Sequence, residues 1–206
     1  MERELTTKKY NIIIGLVLLW GVSVNAVVCA VFPDVFMEWD AHTVFGVYSV
    51  LATVGVCMSI FISNAFVSFL GFNLVVLPLG KPLSIALKMF GNSMVAHTFS
   101  LATMLTIMML VVAVLKPEIF ESSETMIIVS IVATLIFETV INLSGGVPGH
   151  WWDGLVAFLF STYIGVSWTR AQKRDKTVDN AVDSPVRMYL DFINLFVRVI
   201  GSKIRR

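Results

Sequence analysis

Residues 43–80 read TVFGVYSVLATVGVCMSIFISNAFVSFLGFNLVVLPLG, 38 positions without one Asp, Glu, Lys, Arg or His. An α-helix crosses the hydrocarbon core of a bilayer in about 20 residues, so this stretch is two spans, and Ser63-Asn64 is the natural turn between them. In the first span Gly55, Ser59 and Ser63 recur at i, i+4 and i+8, a spacing of small residues that lets helices approach closely in lipid. The second ends at Leu77-Pro78-Leu79-Gly80-Lys81-Pro82, which reads as a helix breaker. Outward from this stretch the pattern continues. Over the whole chain 57% of residues are hydrophobic and 14% charged, against about 25% charged in an ordinary soluble domain. The fold class is therefore all-α: an integral membrane bundle of about seven helices in a single domain.

The expected spans are 11–32, 43–62, 65–80, 84–115, 125–143, 150–168 and 186–201. The first is too long for the apolar region of a cleaved signal peptide, which runs to about 15 residues. Connections are read at 33–42, at 116–124, at 144–149 and at 170–184. In the sixth span Ala157, Ser161 and Gly165 repeat the small-residue stripe, and Trp151-Trp152 opens it as an interfacial pair.

Charge sets the topology. Arg3, Lys8 and Lys9 precede the first span, while 33–42 carries Asp34, Glu38 and Asp40 and no Lys or Arg. The positive-inside rule then places the N-terminus in the cytoplasm. Four basic residues lie in 170–176 and four at the tail (Arg198, Lys203, Arg205, Arg206). Seven full crossings put these two groups on opposite sides, which strains the same rule. The last span, at 15 or so residues, reaches about 22 Å against a core of about 30 Å. It is read as crossing in part, or as shielded among the other six.

That last segment carries the chemistry. Arg187, Asp191, Asn194 and Arg198 stand at i, i+4, i+7 and i+11 and fall within one arc of a helix. Two readings stay open: an amphipathic helix lying on the membrane surface with snorkelling arginines, or a helix buried in the bundle whose polar face lines an ion path. Arg187 and Asp191 also have the spacing of an ion pair. Glu138 and Asp153 are secondary candidates. The plainer reading of Glu138 is a helix-end residue facing water, and that of Asp153 an interfacial residue beside the tryptophans.

Other constellations are weak. Ser93 and His97 share i, i+4 spacing, but no orienting group or oxyanion donor accompanies them, so the chain is not read as an enzyme. His150 and Asp153 supply two ligands, which do not make a metal site. Cys29 and Cys57 read as small core hydrophobes. A net charge of +1 argues against a nucleic-acid partner.

Met188-Tyr189-Leu190-Asp191-Phe192-Ile193-Asn194-Leu195-Phe196 resembles the C-terminal signature of the Bax inhibitor family of membrane proteins. Weaker echoes are Phe90-Gly91-Asn92-Ser93, the run from Gly71 to Pro78, and Phe160-Ser161-Thr162-Tyr163-Ile164. The resemblance implies six helices around a central, polar last helix, and a calcium leak that responds to pH. In the family an aspartate of the last helix pairs with one at the end of the sixth. Two such carboxylates cannot both ionise cheaply. Here Asp191 matches the first, but Ser167 stands where the second belongs: either Asp191 acts alone with Ser167 as a neutral hydrogen-bond partner, or gating is lost.

The resulting expectation is a Bax-inhibitor-like membrane protein, a pH-modulated calcium leak or cation-homeostasis protein. The ion path would run past Asp191, Ser167, Asn194, Arg187 and Arg198, with Asp191 the candidate Ca²⁺ ligand because hard cations take oxygen donors. Ca²⁺ and H⁺ are expected as permeant or regulatory ions, with no tightly bound cofactor. The alternative is a non-transporting membrane regulator of a protease or a cell-death pathway. The bilayer, Ca²⁺ and another membrane protein are the expected partners. The compact chain and short loops favour a bacterial inner membrane over the endoplasmic reticulum.

Overall fold

The computed structural model describes residues 4–31, 40–145 and 150–204. Six helices follow in order: α1 (Thr7–Val31), α2 (Ala41–Phe61), α3 (Ala65–Leu115), α4 (Pro117–Leu143), α5 (His150–Lys173) and α6 (Val178–Ile204). Gly91 breaks α3 with φ 76° and ψ 156°, so the described residues make seven helical rods and no strand. The acidic connection 33–42 lies outside the described residues except for its last positions. There Asp40 caps α2, accepting from the Thr43 backbone N–H at 2.8 Å. Hydrogen bonds from the Thr43 hydroxyl and backbone N–H hold the Asp40 carboxyl below its usual range.

The rods Thr7–Val28, Ser93–Leu115 and Pro117–Ile141 are each long and apolar enough to cross a membrane, and Gly46–Phe61 and Ala65–Gly80 are shorter apolar stretches. Burial is inverted relative to a soluble protein. Leu16 and Leu19 of α1, Val50 of α2, Met104 and Ile107 of α3, and Met126, Val129 and Ile136 of α4 are exposed. Asp179, Asp183, Ser184 and Asp191 of α6 are buried. So large an apolar exterior is stable only against lipid. The chain is thus a helical membrane protein.

Three boundaries differ from the sequence reading, each for a physical reason. The helix does not stop at 77–82 but runs on past Pro78 and Pro82 to Gly91. Away from water the chain has no better way to satisfy its backbone than to stay helical, so membrane helices tolerate proline. Gly91 breaks the rod because its φ/ψ combination belongs to glycine almost alone.

The segment 116–124 is not a loop. Lys116 alone separates α3 from α4, and Pro117 starts α4. Proline suits the first helical position, where its missing N–H costs no bond. The segment 170–184 is likewise mostly helical: α5 runs to Lys173 and α6 starts at Val178. The final helix therefore has 27 residues, about 40 Å at 1.5 Å each. The helix is longer than the segment 186–201 read from the sequence because its polar first turns are helical as well.

The chain divides into two compact units. The first comprises Met1–Asn92 and Arg174–Tyr189. In it α2 and the first rod of α3 meet at small residues: a Cβ added to Gly71 would fall 2.6 Å from the Gly55 carbonyl oxygen. Asn64 starts α3 by accepting from the N–H groups of Phe66 and Val67, so the turn at Ser63-Asn64 is where the sequence puts it. Tyr189 packs edge-on to Phe72 at 5.5 Å and is hydrogen-bonded by the Asn25 amide. Cys57 is exposed rather than a core residue.

The second unit comprises Ser93–Lys173 and Leu190–Arg206. Met109, Ala113, Phe120, Ile127 and Val166 form a buried cluster there. Gly165 receives the ring of Phe120, which would stand 2.8 Å at Cδ1 from an added Cβ. Ala157 and Ser161 are buried on the same stripe. Arg170 donates from Nε to Glu124 at 2.7 Å, and Lys173 pairs with Glu121 at 3.1 Å. These pairs tie the end of α5 to the beginning of α4.

Candidate functional site

Within the second unit α5 and α6 bring Ser167 and Asp191 together. Gly165 is committed to Phe120. Two residues further on, about 200° round the helix, Ser167 faces α6. On α6, Phe192 and Phe196 pack edge-on against Phe99 at 5.5 and 6.3 Å, and Leu195 and Val199 are buried. This fixes the rotation of the helix and turns Asp191 inward.

The Ser167 hydroxyl donates to Asp191 Oδ2 at 2.6 Å. Only 5% of Ser167 and 6% of Asp191 are exposed. That length lies within the ordinary range of a hydroxyl donating to a carboxyl oxygen, about 2.5–3.0 Å. Chemically the site is a buried carboxyl group steadied by a hydroxyl donor. It can attract a cation or accept a proton.

The other residues of the predicted stripe differ in their setting. Arg187 and Asn194 are exposed, and for Arg198 only the helical backbone is described. Of the three whose side chains are described, Asp191 alone is buried. Arg187 lies close enough to Asp183 for its charge to favour that carboxylate. No group of three or more His, Cys, Asp or Glu that could hold a metal ion exists among the described residues. Ca²⁺ takes six to eight oxygens. Ser167 and Asp191 between them supply three side-chain oxygens.

Glu138 and Asp153 are both buried, at 8% and 2% exposure. The reading of a water-facing Glu138 therefore gives way. Their neighbours Phe137 and Trp152 contact each other with ring centroids 4.8 Å apart and planes tilted by 45°. His97 and Ser93 are exposed, and the side chain of His150 lies outside the description.

One cluster escaped the sequence reading because it sits in the segment taken for a loop. In the first unit Asp179 and Asp183 of α6 are buried. Ser68 donates to Asp179 Oδ1 at 3.1 Å. Tyr10 and Ser184 hydrogen-bond at 3.2 Å beside them. The signal available was the i, i+4, i+8 run Asp179, Asp183, Arg187, which continues the helical period back through Pro185.

The fold and these buried acids define a multi-pass helical membrane protein with carboxylates held inside its helix packing. Compared with protein-family models, with curated proteins and with solved structures, the chain matches none.

Proposed function

We propose that this protein is a Bax-inhibitor-like membrane protein that passes or regulates a cation, Ca²⁺ foremost, with Asp191 in the path and Ser167 as its neutral partner. The observation that carries this reading is the buried Ser167–Asp191 hydrogen bond at 2.6 Å. An ionisable group kept at membrane depth is expensive and is ordinarily retained for an ion or proton route. The segment around Asp191 is also the one that resembles the family signature.

The N-terminus is proposed to be cytoplasmic, in a bacterial inner membrane. The Leu5 N–H donates to the Lys176 carbonyl at 2.7 Å, so the basic N-terminus and the basic connection after α5 lie on one side, as the positive-inside rule asks.

The test is calcium flux into liposomes containing only this protein. Flux that Asp191→Asn abolishes or strongly reduces supports the reading. Ser167→Asp, which sets two carboxylates to compete for one proton, steepens the dependence of flux on pH. Absence of flux at every pH overturns transport and leaves a non-conducting regulator of another membrane protein.

A further inference from the structure

We propose that Thr98, Thr103 and Thr106 of α3 hold a file of water that extends the Ser167–Asp191 site along the second unit, toward the Lys116 end of the rod Ser93–Leu115. Resting on the reading of Asp191 as part of an ion path, this gives that path a further wall and names what fills it.

A Ser or Thr hydroxyl inside a membrane helix has a ready acceptor in the carbonyl one turn back on its own helix. The second unit uses it repeatedly: Ser100 donates to Ala96 at 2.9 Å, Thr139 to Leu135 at 2.8 Å, Thr162 to Phe158 at 2.8 Å and Thr169 to Gly165 at 3.0 Å. Thr98, Thr103 and Thr106 leave that acceptor unused, although each has a helical residue four positions back. Their three Oγ1 atoms are buried with no hydrogen-bond partner among the described residues. Thr98 as a whole is 0% exposed. A buried hydroxyl that makes no bond is costly, and away from bulk water nothing else relieves it. Three such hydroxyls on one rod point to a partner that is not protein. That partner must both donate and accept hydrogen bonds and be small, as water is.

The row lies where Asp191 needs it. Each consecutive pair of rods in this unit folds back: Met109 and Ala113 pack with Phe120 and Ile127, Arg170 bonds Glu124, and Ser167 bonds Asp191. Three reversals leave the rod Ser93–Leu115 antiparallel to α6, and Phe99 against Phe192 is a contact between them. Antiparallel helices are related by a two-fold axis, so the residues just before a contact pair lie on the same side of it. Thr98 and Asp191 are those residues, and both are buried, at 0% and 6% exposure. Thr106 stands eight residues beyond Thr98, in one row with the fully buried Ala102. Thr103 adjoins Thr106 at i, i+3 spacing. From Thr98 to Thr106 the rod advances about 12 Å, within a hydrocarbon core of about 30 Å. Hydroxyls carry no charge. They can wet the approach to one carboxyl without supplying the anionic oxygens that would trap a divalent cation on the way.

The experiment is thiol labelling of single-cysteine variants of the full-length protein in lipid vesicles, with Cys29 and Cys57 replaced by alanine and calcium flux read on the same vesicles. Methanethiosulfonate ethylammonium reacts with the thiolate, which an apolar setting suppresses and water permits. Thr98→Cys and Thr106→Cys should react about tenfold or more faster than Val111→Cys, whose position is exposed on the apolar exterior of the same rod. Adding Thr106→Val, which keeps the shape and removes the hydroxyl, should slow the labelling of Thr98→Cys several-fold. Adding Ser100→Ala, whose hydroxyl is already bonded to its own helix, should leave it unchanged. If Thr98→Cys does not fold, Thr106→Cys against Val111→Cys carries the test. Rates at the threonine positions no faster than at Val111→Cys overturn the proposal, as does equal slowing by Thr106→Val and Ser100→Ala. Labelling without flux upholds the water file and removes conduction. Flux without labelling upholds conduction and removes the file.

Discussion

The Ser167–Asp191 bond can be weighed by a double-mutant cycle of Ser167→Ala, Asp191→Asn and the pair. Hydrogen bonds between helices in a bilayer couple on average by about 0.6 kcal/mol and at most by about 1.7, because the unfolded chain in the membrane also finds partners. Bonds to charged groups in proteins contribute about 1.5–3 kcal/mol. At 2.6 Å, with both residues buried, this bond belongs where the two ranges meet. The expected coupling is about 1.5–2 kcal/mol. The assay is reversible unfolding of purified protein in mixed micelles near neutral pH, followed by far-ultraviolet circular dichroism. Ser167→Ala removes a single oxygen, so packing contributes little, and Asp191→Asn preserves shape while removing charge. A coupling of about 0.6 kcal/mol or less refutes the reasoning, since it describes a neutral acid beside a hydroxyl and removes the anionic oxygen on which the cation path depends.

Further outcomes follow from other places in the fold. Gly91→Ala forces an L side chain into φ 76°, ψ 156°, and should cost about 1–3 kcal/mol in the same unfolding assay. Gly165→Val drives a side chain into the Phe120 ring and should cost about 1–3 kcal/mol, with Phe120→Ala in the same chain relieving part of the loss. Glu38→Cys, with the native cysteines replaced, should react with an impermeant reagent on intact cells. Labelling only after permeabilisation reverses the proposed topology.

Apolar length alone made the bundle legible. A run of 38 uncharged residues admits no other reading, and Asn64 caps α3 where the turn was expected. The helix ends were harder, because charge was taken as the mark of a loop. Glu121 and Glu124 instead sit in the first turns of α4, Arg170 and Lys173 in the last turn of α5, and they satisfy one another there. The same habit hid Asp179 and Asp183. Proline misled in the same way at Pro78 and Pro82, where the rule that it ends helices was learned in water. Of the site, Asp191 was legible from its place among apolar neighbours and Ser167 from the resemblance. The exposure of Arg187 and Asn194 was not, since helical periodicity locates a face without saying what covers each point along it.

Lys116 stands alone between the rod Ser93–Leu115 and α4. Two membrane-crossing rods joined through one residue have no slack. Neither can be threaded through a bilayer while the other waits outside in an extended connection, so the two must enter as a closed hairpin, tip first, during synthesis. The tip that leads or trails that movement carries Lys116 and Glu118, and whichever side retains it fixes the direction of both rods at once.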